Sequence, residues 1–182
     1  VPLSEDWRDQ YQRMVRSYQR LTEAAGPSSM GSDEARDRLY HFFQDAYHLR
    51  DWLRNSSDPD VSEKGKELFG PGNHIKATPA LALCADLCNG IKHLGRDRNP
   101  VSGADVTISR QDVAIDLPVI EIRVEVPGPA GQPRKPRNPE VSRATATHRW
   151  YVTFGSQNLD AVELAGEIIA EWEKWLTGKN LL

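Results

Sequence analysis

Only two cysteines, Cys84 and Cys88, occur in 182 residues. They stand one helical turn apart, and no third or fourth cysteine exists to complete a zinc knuckle or a disulfide framework. They read as small core residues. No run approaches the roughly 18 apolar residues that a membrane span requires, and the N-terminus lacks a basic segment followed by an apolar one. The expectation is a cytoplasmic protein with no membrane partner. Neither sign of charge dominates. With 23 basic and 26 acidic residues the net charge is −3, so there is no global field for nucleic acid or an anionic surface, only local patches. Phosphate-binding glycine loops, a dinucleotide fingerprint, a Gly-x-Ser-x-Gly elbow and internal repeats are also missing. Gly70-Pro71-Gly72 is a turn that neither follows a strand nor opens a helix.

What is present is helical to about residue 99. Ser4 is the expected cap of a first helix, in which Trp7, Tyr11, Met14, Val15, Tyr18, Leu21 and Ala25 share one face up to the stop at Gly26-Pro27. Arg8, Arg13, Arg16 and Arg20 on its outer side read as a solvated face. After a Pro/Ser/Gly linker, a second long helix runs from near Asp33 to near Asn55. Leu39, Phe42, Ala46, Leu49 and Leu53 form its main stripe, with aromatic or polar flanks on both sides, which places it centrally in a bundle. Asp58 to Phe69 reads as a short helix opened by Pro59. The segment Thr78 to Arg98 reads as a further helix, with Thr78 as N-cap and Pro79 at the first helical position. There Ala80, Cys84, Leu87, Ile91 and Leu94 form a core stripe beside a polar row of Asp86, Asn89 and His93. Gly90 costs about 1 kcal/mol against Ala in mid-helix, so close packing against its backbone is expected.

After Pro100 the period changes to two. Val106 and Ile108, then Val113, Ile115 and Leu117, then Ile120, Ile122, Val124 and Val126, and later Trp150, Val152 and Phe154 alternate with polar residues, predicting three or four antiparallel strands. The Pro/Arg-rich stretch 127–146 cannot pack a core and reads as a long hairpin loop or arm. A last helix from near Asn158 to Leu176, with Ala161, Ala165, Ile168, Trp172 and Trp175 on one face, would cover one side of the sheet. The fold class is therefore α+β: an antiparallel helical bundle over 1–99, then over 100–182 a small antiparallel sheet packed on a C-terminal helix.

Three groups of residues are candidates for function. On the Thr78–Arg98 helix, His93 beside Asn89 and Lys92 supplies an imidazole for proton transfer and an ammonium for charge on a phosphate, the chemistry of RNA cleavage. The same polar row is equally the kind that fixes helix register through hydrogen bonds. On the second helix, His41, Asp45 and His48 share one flank. Facing Asp86 and His93 they would offer imidazole and carboxylate ligands to a divalent transition metal; otherwise Asp45 orients the rings in a buried network. In the arm, Arg134, Lys135, Arg137 and Arg143 could grip phosphates and order on binding, or remain a solvated loop.

The polar residue, spacer and histidine of Asn89-Gly90-Ile91-Lys92-His93, late in a helical bundle, resemble the motif of the HEPN superfamily of bacterial toxin, defence and RNA-processing domains. In that family the helix carries an arginine, then four to six residues, then the histidine, and a dimer joins two motifs to cut RNA without metal. The resemblance covers at most residues 4–99. It implies a homodimer and no cofactor, with His93 as the essential residue and Asn89 and Lys92 beside it in a cleft that contacts RNA. The arginine positions hold Asp86, Leu87 and Cys88, so the family's arginine is missing from this helix. Two other classes remain open on the residues alone, a non-catalytic module for a protein partner and a metal-dependent enzyme.

Overall fold

The computed structural model describes residues 4–69, 78–92, 99–116 and 144–182, with the side chain of Lys92 left aside. Five helices and three strands follow in the order α1 (Trp7–Ala25), α2 (Ser32–Arg54), α3 (Pro59–Lys66), α4 (Pro79–Lys92), β1 (Val106–Asp116), β2 (Thr145–Phe154), β3 (Gln157–Asp160) and α5 (Ala161–Gly178). This is an α+β fold with its helices first and an antiparallel sheet in the order β1-β2-β3. The expected strand Ile120–Val126, Leu117, and the continuation of α4 through Leu94 to Arg98 lie outside the described residues.

Each helix start has a local cause. The α1 cap is Asp6 rather than Ser4. Its carboxylate accepts the Arg8 N–H, and Asp9 reaches back to the Asp6 N–H in a reciprocal box. A carboxylate paired with an acidic third residue satisfies two orphan donors at once, and Ser4 stands two residues too early to do so. Asp58 caps α3 ahead of Pro59. At the start of α4, Thr78 Oγ1 accepts from the Leu81 N–H at 3.5 Å.

α2 packs against α1, α3, α4 and α5, which makes it the central element that its wide apolar circumference predicts. α4 is more enclosed than one stripe suggests. Every residue from Ala80 to Cys88 is buried, Asp86 included, because α4 lies between α2, α5 and β1. Gly90 corrects an expectation: it is exposed, and a Cβ there would meet nothing within 4 Å among the described residues. The close approach occurs instead at Gly65, where a Cβ would stand 2.5 Å from the Leu53 carbonyl carbon and 2.6 Å from the Arg54 nitrogen. That contact seats α3 on the last turn of α2.

The first two predicted strand runs are one strand. β1 pairs with β2 throughout, with a register shift between Ile108 and Arg110, so Ser109 is the extra residue of a bulge. Val106 and Ile108 stand opposite Phe154 and Val152. Beyond the bulge Gln111 and Val113 stand opposite Trp150 and His148. One inserted residue moves the face shared with Trp150 and His148 from even to odd positions, which is why the sequence shows two alternations out of phase, although Val113 and Ile115 on that face are exposed. The last helix starts three residues later than expected. Gln157–Asp160 pairs with β2 after a tight turn at Gly155, whose φ is +57°, and the Asp160 carboxylate then caps α5 through the Val162 and Glu163 N–H groups.

One buried cluster draws on both stretches of the chain, joining Trp7, Met14, Phe42 and Leu49 to Trp150, Val152, Ile168 and Trp172. Fully burying such side chains is worth about 1.5–3 kcal/mol each. The linker between α1 and α2 adds a polar tie to the sheet. Ser28 and Ala146 exchange both backbone hydrogen bonds, and the Met30 carbonyl lies 3.2 Å from His148 Nε2. His148 is fully buried, with its ring stacked on Trp150 at 5.9 Å between centroids.

Candidate functional site

The polar row of α4 divides. Asp86 turns toward the segment that enters β1, where its two carboxylate oxygens accept the Val101 N–H at 2.9 Å and the Ser102 N–H at 2.8 Å. Two amide donors and the Ser102 hydroxyl at 2.5 Å make a charge-assisted cap for a buried carboxylate. Asn89 lies toward α2 instead, where its side chain favours the ionised form of the Tyr47 hydroxyl. His93, the third member, lies outside the described residues, as do Arg134, Lys135, Arg137 and Arg143.

Beside Tyr47 the structure places a half-buried cation, Arg50. The Arg50 guanidinium lies 3.7 Å from the Tyr47 ring centroid and 5.3 Å from that of Phe69, while Arg54 covers Phe69 at 4.5 Å. Arg50 is 13% exposed, and its Nε stands 3.3 Å from the Asp51 carboxylate without hydrogen-bond geometry. A guanidinium on aromatic faces is held in place without losing its charge, since its weak hydration makes partial burial cheaper than for an ammonium. The Tyr47 hydroxyl is pushed above its ordinary pKa by burial, while Arg50 and Asn89 pull it back. The thiol of Cys84 is pushed up strongly, chiefly by burial and further by Cys88. A thiol held protonated in this way is a core group, in keeping with its sequence reading.

The second candidate group disperses. His41 and His48 are exposed, whereas Asp45 faces α1, where its carboxylate accepts a short hydrogen bond from Ser17 and its carbonyl accepts Gln10 Nε2 at 2.9 Å. Asp45 thus fastens α1 to α2, while Asp86 fastens α4 to the segment before β1. Among the described residues no three His, Cys, Asp or Glu side chains gather into a group that could hold a metal.

Two features escaped the sequence. Gln10 and Ser17 are buried polar positions on α1, in line with the buried Met14 and Leu21, and the facing Asp45 explains them. The place of Arg50 is harder to read, because one of its ring partners, Phe69, comes from beyond α3. The signal that was available is the close spacing of Tyr47 and Arg50, which puts a ring and a guanidinium on adjoining rows of one helix.

No helix among the described residues is long and apolar enough to cross a membrane. No family model, no curated protein and no solved structure matches this chain.

Proposed function

We propose that this chain is a HEPN-like RNA-binding protein of a bacterial defence or stress system that cleaves RNA without metal, working as a homodimer around the end of α4. The observation that supports the reading is the position of Arg50. The family pattern asks for a guanidinium near its histidine, and Asp86, Leu87 and Cys88 do not provide one. Arg50 of α2 holds a guanidinium over the ring of Tyr47, whose hydroxyl is influenced by both Arg50 and Asn89 of α4. In this reading His93 moves the proton at the reacting ribose and phosphate oxygens, and Arg50 stabilises the charge that develops on phosphate. Asn89 and Lys92 orient the phosphate, and Arg134, Lys135, Arg137 and Arg143 add contacts along the backbone.

The test is cleavage of a mixed RNA pool in EDTA by the wild type, His93→Ala and Arg50→Gln, each shown folded by circular dichroism. The expected result is cleavage by the wild type, its loss in His93→Ala, and a fall of about 100-fold or more in Arg50→Gln, the scale of losing one charge-stabilising donor. Intact RNA with a folded wild-type protein overturns the reading.

A non-catalytic module for a protein partner is the second reading. It is favoured by Asp45 and Asp86, polar residues whose carboxylates tie elements together. It expects the same assay to leave RNA intact with all three proteins.

A further inference from the structure

A groove of about 330 Å³ runs between α1 and α2 and is lined by Arg13, Arg16, Arg20, His41 and Gln44, with Ser17 and Asp45 at its base. The three arginines sit at i, i+3 and i+7, so they share one face of α1 and span about 10 Å along it at 1.5 Å per residue. Their pairing differs. Arg13 is held by Glu5 at 2.8 Å and Gln10 at 2.7 Å. Arg16 and Arg20 are exposed and make no ion pair among the described residues. The one carboxylate in the groove, Asp45, is occupied by the Ser17 hydroxyl. His41 adds a ring from the opposite wall. Such a groove presents donors in excess of acceptors and holds two guanidinium groups ready for an anion.

We propose that this α1/α2 groove is a phosphate-binding site, and that its phosphates belong to the backbone of single-stranded RNA. Arginine suits phosphate because its planar donors match two phosphate oxygens at once. The length of the arginine row suits an extended chain of phosphates better than a single one. No Phe, Tyr or Trp lines the groove and His41 is its one ring, so it lacks a row of stacking platforms and grips backbone without regard to base. The site is separate from the Tyr47, Arg50 and Asn89 cluster: His41 and Arg50 lie roughly half a turn apart around α2 at about 100° per residue. The phosphate chemistry stands on the groove itself, and only the RNA source rests on the function proposed above.

The test is binding of a fluorescent 2′-O-methyl oligouridine, which lacks the hydroxyl that cleavage needs, so that failure of catalysis and failure of binding are read separately. Affinity is followed against salt for the wild type and for Arg16→Gln with Arg20→Gln. Arg8→Gln with Arg36→Gln removes the same charge elsewhere and serves as control. The expected result is that the groove variant loses about tenfold or more in affinity and its salt slope falls by about 1.4, two contacts at roughly 0.7 each on a single strand. The control variant keeps most of both. A second arm titrates inorganic pyrophosphate. If pyrophosphate binds in a manner lost with Arg16 and Arg20 while the oligonucleotide does not bind, the phosphate site stands and the RNA source falls. Equal binding by wild type and groove variant, an equal loss in the control, or no binding in either arm overturns the proposal.

Discussion

Ser102 gives both its backbone N–H and its hydroxyl to the buried carboxylate of Asp86. That relationship assigns a polar residue in the middle of the molecule to architecture. It fastens α4 to the segment that leads into β1, so the bundle and the sheet meet through a charge as well as through apolar contact.

Replacing Asp86 by Ala should therefore destabilise the fold by about 2–3 kcal/mol, because two amide N–H groups and a hydroxyl lose a charged acceptor in a partly buried place. Ser102→Ala should cost about 1 kcal/mol, since the carboxylate keeps its two amides. Urea unfolding followed by circular dichroism checks both. A loss under about 0.5 kcal/mol in Asp86→Ala would mean that water replaces the carboxylate without penalty.

Two helical glycines, Gly65 and Gly90, should respond in opposite directions. Gly65→Ala places a methyl group 2.5 Å from the Leu53 carbonyl carbon, backbone that cannot swing aside, and should cost about 1–3 kcal/mol or more. Gly90→Ala meets nothing within 4 Å among the described residues and should stabilise by up to about 1 kcal/mol through helix propensity. Thermal unfolding of the two variants beside the wild type reads this as a fall and a rise in midpoint. A fall at Gly90 would show that its backbone is needed bare.

Alkaline pH should weaken the protein. Cys84 and Tyr47 have native pKa values raised above their ordinary 9.0 and 10.0, mainly by burial, and Tyr11 is raised in the same direction by burial and by Glu173. The native state therefore keeps protons that the unfolded chain releases. Stability is full below about pH 9 and falls as pH rises through 9 and then 10, by at most about 1.4 kcal/mol per pH unit for each such group. Urea midpoints from pH 8 to 11 should fall in that order, and Cys84→Ala should flatten the part between 9 and 10. An unchanged slope in that variant would remove Cys84 from the account.

Much of the fold was legible because it is set by local periodicity. The 3.6-residue pattern located all five helices, and Asp58-Pro59 and Thr78-Pro79 marked two of their starts, because capping and the fixed φ of proline act within a few residues. The period-two pattern located β1 and β2 but not β3, and its change of phase between Ile108 and Val113 already carried the bulge at Ser109, although it read as a break. The start of α5 was misplaced because Gln157–Asp160 pairs with β2, and pairing to a strand formed elsewhere leaves no mark on helical periodicity.

By itself, then, the sequence determined the α+β class, the helix order and the burial of most apolar residues, since these depend on side chains a few positions apart. Only the tertiary structure decided what the polar residues do. Asp45 and Asp86 became ties, His41 and His48 turned outward, and Arg50 came to stand between Tyr47 and Phe69. Ser17 for Asp45, Ser102 for Asp86 and Phe69 for Arg50 each come from another segment of the chain. A hydrogen bond or ion pair needs its two groups within a few ångströms, which spacing along one helix permits but packing alone brings about.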